Sequence, residues 1–339
     1  MDQARSGLSR LPETRAILAI RQAVRSWISR YAPIGTVCVG VSGGADSLAL
    51  LAGAVAEAQV VRALIVDHQL QDGSDEVARL AAKAARELGA TPEILSVQVG
   101  RDGGLEAAAR DARYAALESA RDGSPVLLGH TLDDQAETVL LGLARGSGPR
   151  SIWGMREFDD PWGRPLLAIK RETTRAACAD LGLEPHVDPH NFSPEFTRVR
   201  IRQDVLPLLE DVLGGGVSEA LARTADQLRD DGYVLDELAA ALQREAARPA
   251  GLDTATLLPQ PAALRRRVIR SWLLDSGARA VNDVQVRAID RLVTDWRGQG
   301  GVAVPGVSGA PGSQNGGTTG ARLVATRKHG TLTLGSDQL

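Results

Sequence analysis

The sequence predicts an α/β fold, a doubly wound parallel sheet followed by a smaller, mostly helical C-terminal region. Three observations carry that reading. From Arg15 to about Leu209, short β-branched runs alternate with segments whose apolar residues recur at helical spacing. Strands separated by crossover helices pair in parallel. Near Leu213-Gly214-Gly215-Gly216 the alternation stops and an alanine-rich helical pattern takes over. An N-terminal domain over residues 1–213 and a C-terminal domain over 214–339 follow from that change.

The elements follow in order. Ile17, Ile20, Val24, Trp27 and Ile28 fall on one face and open the chain with a helix. Thr36–Val41 is short and β-branched, a buried strand. A glycine-rich turn leads into Ser47–Ala58, helical by the spacing of Leu48, Leu51 and Val55. Ala63–Asp67 is the second expected strand and Asp75–Leu88 the second crossover helix. Glu93–Val97, Leu105–Ala120, Val126–Gly129 and Asp133–Arg145 continue as strand, helix, strand and helix. Ligands of such sheets sit beyond the carboxyl ends of the strands. The turns after Val41, Asp67 and Gly129 should therefore face one cleft. Past the glycine run, helices are expected from Val217 to about Arg248, over Pro261–Leu274 and over Asp283–Trp296. Gly301–Val304, Arg322–Ala325 and Thr331–Leu334 read as small strands, with a flexible loop at 306–320.

Bulk properties set the class. The chain has 339 residues, 43% apolar and 24% charged, which is globular and too long for one ordinary core. No run approaches the roughly 20 apolar residues of a membrane span, and the N-terminus lacks a secretory pattern. Cys38 and Cys178, far apart, exclude a disulfide framework, a zinc ribbon and a cysteine-held iron–sulfur cluster. A cytoplasmic protein without a membrane partner is expected. The net charge of −3 argues against a protein that merely coats nucleic acid, and leaves room for a local basic face. Aromatic residues at 3% exclude a broad base-stacking platform.

The most informative residues are Ser42, Gly43, Gly44, Ala45, Asp46 and Ser47, which follow a buried strand and open a helix. Glycines let the backbone turn tightly and aim its N–H groups at an anion, which a helix N-terminus also favours. Ser42 and Ser47 add hydroxyl donors. Asp46 beside a phosphate needs a cation between them, which makes it a candidate magnesium ligand. No GxxxxGK[ST] occurs, so the turn is not of the Walker type. The same residues would also serve as an ordinary turn with a helix-capping Asp or Ser. With the strand before and the helix behind, the turn resembles the SGGxDS PP-loop of ATP pyrophosphatases. That resemblance implies a Rossmann-like sheet, ATP as substrate, transfer of AMP to a substrate oxygen, and displacement of AMP by a nucleophile.

The next segment, Gly129-His130-Thr131-Leu132-Asp133-Asp134-Gln135-Ala136-Glu137-Thr138, runs into a helix. Ala136, Val139, Leu140 and Leu143 share one face, while Asp134 and Glu137 lie on roughly the opposite one. Two carboxylates near the strand ends suit a cationic amine or magnesium. Acids also favour any helix N-terminus.

Further motifs stand in order: Val66-Asp67-His68-Gln69-Leu70, Leu105 to Arg110 with Arg113-Tyr114, Arg164-Pro165-Leu166-Leu167, Asp188–Asn191 and Arg198–Leu206. Together with the two segments above, over residues 36–210, the chain resembles the tRNA(Ile)-lysidine synthetases. The resemblance implies adenylation of the wobble cytidine C2 oxygen in the CAU anticodon of an isoleucine tRNA. The ε-amine of free lysine then displaces AMP and leaves lysidine, which reads AUA instead of AUG. It implies that residues 42–47 hold ATP and magnesium, with Asp46 the metal ligand, and that Arg113 contacts the α-phosphate. His130 would lie near the reacting phosphate or nucleotide, and Asp134 and Glu137 would receive the lysine ammonium. Glu106 and Arg110 also fit a plain helix pair, and His68 a hydrogen-bonded loop histidine. Gln71, Thr131 and Val199 stand where that family often has arginine, histidine and asparagine.

Positive charge gathers at Arg145, Arg150, Arg164, Lys170, Arg171 and Arg175, at Arg198, Arg200 and Arg202, and at Arg265, Arg266, Arg267 and Arg270. Arg145, Arg198, Arg200, Arg202 and Arg265–Arg267 are the expected tRNA contacts, by phosphate attraction; a solvated helix face is the plainer reading of any single cluster. The oligomeric state is left open, a homodimer included. Competing readings are a PP-loop enzyme that inserts sulfur with paired cysteines, a small-molecule amide synthetase needing an ammonia source, and an inactive nucleotide- or RNA-binding module.

Overall fold

The computed structural model describes residues 11–69, 73–98, 100, 105–146, 148–187, 193–306 and 322–336. Gln71, Asp188–Asn191, the side chain of Glu106 and nearly all of the expected 306–320 loop lie outside the described residues.

The chain divides into two compact units, Met1–Leu141 with Gly154–Thr224, and Gly142–Trp153 with Ala225–Leu339. In the first, α1 (Arg15–Tyr31) leads to β1 (Thr36–Gly40), α2 (Ala45–Glu57), β2 (Val60–Asp67), α3 (Ser74–Glu87), β3 (Thr91–Ser96), α4 (Leu105–Ala120), β4 (Val126–Leu127) and α5 (Leu132–Arg145). A short hairpin, β5 (Phe158–Asp159) and β6 (Trp162–Gly163), precedes α6 (Arg171–Asp180), α7 (Thr197–Arg200), a π-helical turn over Ile201–Val205 and α8 (Leu206–Leu213). Helix α9 (Val217–Ala246) then runs on into the second unit.

The sheet order is β3-β2-β1-β4-β6-β5. All neighbours are parallel except the β5–β6 hairpin. Strands covered on both faces show it in their side chains. Val37, Val39, Val41, Ala63 and Ile65 enter one core with residues of α1, α2, α3 and α6, whereas Cys38, Leu64 and Val126 enter another with Leu117 of α4. This alternation follows from the two-residue period of a strand, and apolar residues on both faces are what a parallel sheet demands. Trp27 of α1 is fully buried and donates its indole N–H to the Glu157 carbonyl at 3.0 Å, so no polar group is stranded there.

The chain leaves β1 toward β2 and β3, then returns to add β4 on the other side of β1. Between β1 and β4 the strand order reverses, and there the turns after Val41 and after Leu128 emerge side by side. Gly129 permits the contact. A Cβ at that position would lie 3.0 Å from backbone atoms of Asp46 and Ser47.

In the second unit, the end of α9, β8 (Gly251–Asp253), α10 (Thr254–Leu257), α11 (Ala262–Asp275), α12 (Asp283–Thr294), β9 (Val302–Pro305), β10 (Arg322–Lys328) and β11 (Thr331–Ser336) share one core, with the exposed β7 (Ala247–Arg248) at its edge. The three expected small strands are present, and with β7 and β8 they form an antiparallel sheet ordered β7-β8-β11-β10-β9. Asn282 caps α12 through a reciprocal bond pair with Gln285.

Candidate active site

The phosphate-binding turn has the expected backbone. Gly43 sits at φ +83°, in the left-handed region that costs glycine nothing, and Gly44 begins α2 with no side chain capping it. The first N–H groups of α2 are thus left for an anion. The two serines differ from expectation. The Ser47 hydroxyl donates to the Gly44 carbonyl at 2.9 Å and accepts from the Ser42 backbone N–H at 3.2 Å, so it braces the turn from inside. Ser42 is exposed and keeps the outward position.

Asp46 lies at the mouth of this turn. Thr174 of α6 donates a short hydrogen bond to its Oδ1, and Arg171 Nε donates to Oδ2 at 3.2 Å. Burial pushes the Asp46 carboxyl above its ordinary range, against the pull of Thr174 and Arg171.

Helix α5 supplies the other two carboxylates. Asp134 Oδ2 accepts from the Thr131 backbone N–H at 2.8 Å and from its hydroxyl at 2.7 Å, while Oδ1 accepts from Arg171 at 2.7 Å. Burial alone would raise the Asp134 carboxyl, but Arg171 and the Thr131 N–H hold it below the usual range. One oxygen thus serves the capping reading, and the other meets Arg171. Glu137 is fully buried. Arg202 grips it with Nε to Oε1 at 2.7 Å and a second nitrogen to Oε2 at 3.2 Å, with Arg171 at 3.6 Å and Arg198 at 3.8 Å.

Facing this carboxylate group is a cationic one. His130 follows β4, and its imidazole is depressed to about 4, by burial first and then by the charges of Arg164, Arg113 and Arg110 working against Asp134. Burial and Arg113 likewise lower His68, which follows β2. Burial lowers Arg113 as well. Four nitrogens here are buried without a hydrogen-bond partner: His68 Nδ1, His130 Nδ1, Arg113 Nε and Arg164 Nε. Buried polar groups in folded proteins are nearly always paired, so these four unpaired nitrogens would suit an acceptor-rich ligand. Arg110 and Arg113 stand 5.1 and 5.6 Å from the Tyr114 ring centroid, which steadies both guanidinia.

The structure therefore gathers Asp46, Asp134 and Glu137 around Arg171, and links His130 electrostatically to Arg113. It also draws in Arg171, Thr174, Arg164 and Arg110. In the sequence Arg164 and Arg110 stand in motifs of the resemblance, Arg171 only in a charge cluster, and Thr174 carries no signal.

The expected RNA-facing arginines divide. Arg202 is corrected to an internal partner of Glu137, and Arg198 lies beside it. Arg200 is exposed and pairs only with Asp204 at 3.4 Å, and Arg145 is exposed at the end of α5. In the second unit Arg265 and Arg266 both turn onto buried Asp290, and Arg267 onto Asp236. Their charge is met inside the fold, a correction to reading them as one free cationic face.

Paired-cysteine chemistry finds no support. Cys38 and Cys178 are free, buried and on opposite faces of the sheet. Burial and the charge of Asp46 push the Cys178 thiol up to about 11. No helix among the described residues is long and apolar enough to cross a membrane.

Comparison with known proteins agrees with this geometry. A PP-loop domain family matches residues 16–209, and a TilS substrate binding domain family matches residues 252–316. The chain is 61% identical to a tRNA(Ile)-lysidine synthase of Rhodococcus erythropolis over 326 residues, 96% of this chain and 97% of that one. Identity is 65% over 318 residues with the synthase of Nocardia farcinica, covering 93% and 97%. With that of Mycobacterium tuberculosis it is 58% over 303 residues, covering 87% and 90%. Among solved structures, the U34-tRNA thiolase NcsA from Methanococcus maripaludis is similar with a TM-score of 0.51 at 20% identity, covering 63% of this chain and 79% of that one. That likeness is one of fold.

Proposed function

The chain belongs to the tRNA(Ile)-lysidine synthase family, and from that premise we propose that it joins free lysine to C2 of the wobble cytidine in the CAU anticodon of an isoleucine tRNA. The observation that carries the reading is the meeting of two opposed groups at the sheet's switch point. Carboxylates Asp134 and Glu137 can take an ammonium, and the guanidinia of Arg113 and Arg164, each with an unpaired Nε, can take phosphate.

In the first half-reaction the cytidine O2 attacks the α-phosphorus of ATP. An O–P bond forms, and the bond to pyrophosphate breaks. The uncapped start of α2 and the Gly43–Gly44 turn would cradle the phosphates. Arg113 and Arg164, held in a low-dielectric site, would stabilise charge gathering on the α-phosphate. His130, neutral near pH 7, serves there as a hydrogen-bonding group. In the second half-reaction the lysine nitrogen attacks C2, and O2 leaves with AMP. The amine must first lose its ammonium proton, which the Asp134–Glu137 carboxylate pair would accept. Asp134, kept ionised by Arg171 and Thr131, suits the anchoring of that ammonium. Fixed placement of three substrates supplies much of the acceleration, up to roughly 7–11 kcal/mol in intramolecular models.

Magnesium fits Asp46. The carboxylate is a quarter exposed at the turn, and its present partners, Thr174 and Arg171, are displaceable donors. Among the described residues no group of three or more His, Cys, Asp or Glu side chains forms an all-protein cage, which agrees with magnesium's habit of using one or two carboxylates plus phosphates. Bound there, it would neutralise phosphate charge. The second unit, which contains the whole span of the substrate binding domain match, would engage tRNA, and a reaction on tRNA belongs to the cytoplasm.

Incubating the protein with labelled lysine, ATP, magnesium and a CAU-bearing isoleucine tRNA transcript tests the reading. Label should enter the tRNA only with ATP present. Failure of label to enter while ATP binds would overturn it.

A further inference from the structure

Asp46 and Asp134 each have one oxygen held by the scaffold and one aimed at the same guanidinium. Asp46 Oδ1 takes Thr174 and Asp134 Oδ2 takes Thr131. The remaining oxygens, Asp46 Oδ2 and Asp134 Oδ1, lie 3.2 and 2.7 Å from nitrogens of Arg171. Glu137, clasped by Arg202 on both oxygens, lies 3.6 Å from the same guanidinium. Arg171 is itself anchored, because its backbone N–H donates to Asp133 Oδ2 at 2.8 Å. Its side chain is only 12% exposed. One cation thus bridges the candidate nucleotide-metal carboxylate and Asp134 of the candidate amine-binding pair.

We propose that Arg171 is a positioning residue that couples the two sites, so that nucleotide binding at Asp46 opens Asp134, beside Glu137, to the amine. The proposal rests on the functional reading above. Without nucleotide, the guanidinium occupies the oxygens an ammonium would need, and a second cation entering beside it would be repelled. A magnesium nucleotide competes for Asp46 Oδ2 and brings phosphate oxygens within the same site. The guanidinium, a fork suited to phosphate, transfers to that anion and frees Asp134 Oδ1, with Glu137 still clasped by Arg202 beside it. Two ligands that act on one bistable group must change each other's affinity by the same factor. A sequential enzyme gains order from this: lysine is held firmly only when the activating nucleotide is present.

The test is calorimetric titration of L-lysine into the full chain, with and without saturating magnesium and an ATP analogue bearing a methylene between the α- and β-phosphates. For the wild type, lysine should bind about tenfold more tightly with nucleotide, within the usual range of such coupling. In Arg171→Gln the two affinities should coincide. Arg171→Lys, which keeps the charge with a shorter reach, should restore part of the difference. Circular dichroism melts accompany each variant. If Arg171→Gln folds poorly, the wild type and Arg171→Lys still decide. Lysine binding that ignores nucleotide in the wild type, or equal coupling in wild type and Arg171→Gln, overturns the coupling alone. No lysine binding in either state overturns both the coupling and the assignment of Asp134 and Glu137.

Discussion

Arg202 closes a two-point clasp on Glu137, with Nε 2.7 Å from Oε1 and a second nitrogen 3.2 Å from Oε2, and the carboxylate it holds is cut off from water. The clasp spans from the π-helical turn to α5, so it fixes a site residue and joins two elements at once. Arg202→Ala should therefore cost about 3 kcal/mol of stability, because it strands a buried charge. Arg171 and Arg198, at 3.6 and 3.8 Å, soften that loss without replacing the fork. Arg202→Lys should recover less than half, since an ammonium cannot bridge both oxygens in plane. Urea unfolding of the three proteins checks this, and full recovery by lysine would mean that charge alone matters.

Acid should loosen the fold through His130. Its folded value of about 4 lies below the roughly 6.5 of an unfolded histidine, so between those values the unfolded chain binds the proton preferentially. The contribution is fully present above about pH 6.5 and is lost as pH falls toward 4. From pH 7.5 to 5.0 the wild type should lose about 2 kcal/mol through this residue. His130→Gln should lose that much less over the same interval, by urea midpoints at both pH values. An identical pH response in the two proteins would place the proton uptake elsewhere.

Backbone proximity at the switch point is a second sensitive feature. Gly129→Ala brings a methyl within 3.0 Å of Asp46 and Ser47 backbone atoms, none of which is a flexible side-chain end. Such overpacking costs about 1–3 kcal/mol. By shifting the start of α2 it should also weaken nucleotide binding about tenfold or more, as small misplacements do. Equilibrium binding of a fluorescent ATP analogue reads the second effect, and unchanged affinity would show that the turn absorbs the methyl.

The arginines should separate into two behaviours. Arg265→Ala removes a partner from buried Asp290, which Arg266 still reaches at 3.0 Å. It should destabilise by about 2 kcal/mol. Arg200→Glu changes an exposed residue and should leave stability within about 0.5 kcal/mol. If Arg200 meets tRNA phosphate, the exchange lowers tRNA affinity and flattens its salt dependence. Filter binding across a salt series, with melting curves alongside, distinguishes the two.

The sheet was legible because burial on both faces writes itself into Thr36–Val41 and Ala63–Asp67 as continuous apolar runs, and α4 was placed to the residue. The β5–β6 hairpin was not, because two-residue strands carry no period. The bounds of helix α6 were illegible for another reason: its buried positions, Thr174, Ala177 and Cys178, form a weak stripe among polar residues. Without those bounds Arg171 and Thr174 could not be placed beside Asp46. Asp46, Asp134 and Glu137 could be picked out from their places after strands. Their partners could not, because an arginine's destination depends on tertiary geometry, and Arg202 looks like any surface cation in Arg198-Val199-Arg200-Ile201-Arg202. Thr131, standing where the family often has histidine, turns out to give Asp134 two hydrogen bonds.

The two thiols have a practical corollary. Cys38 and Cys178 are the chain's only cysteines, both are sealed in its cores, and burial raises both. A thiol held near 11 keeps almost none of its reactive thiolate at neutral pH. Toward maleimide or iodoacetamide the folded protein should behave as though it contained no cysteine. A single cysteine placed at an exposed position such as Arg200 could then carry a dye without prior removal of the native two, and RNA docking could be followed in an otherwise unaltered enzyme.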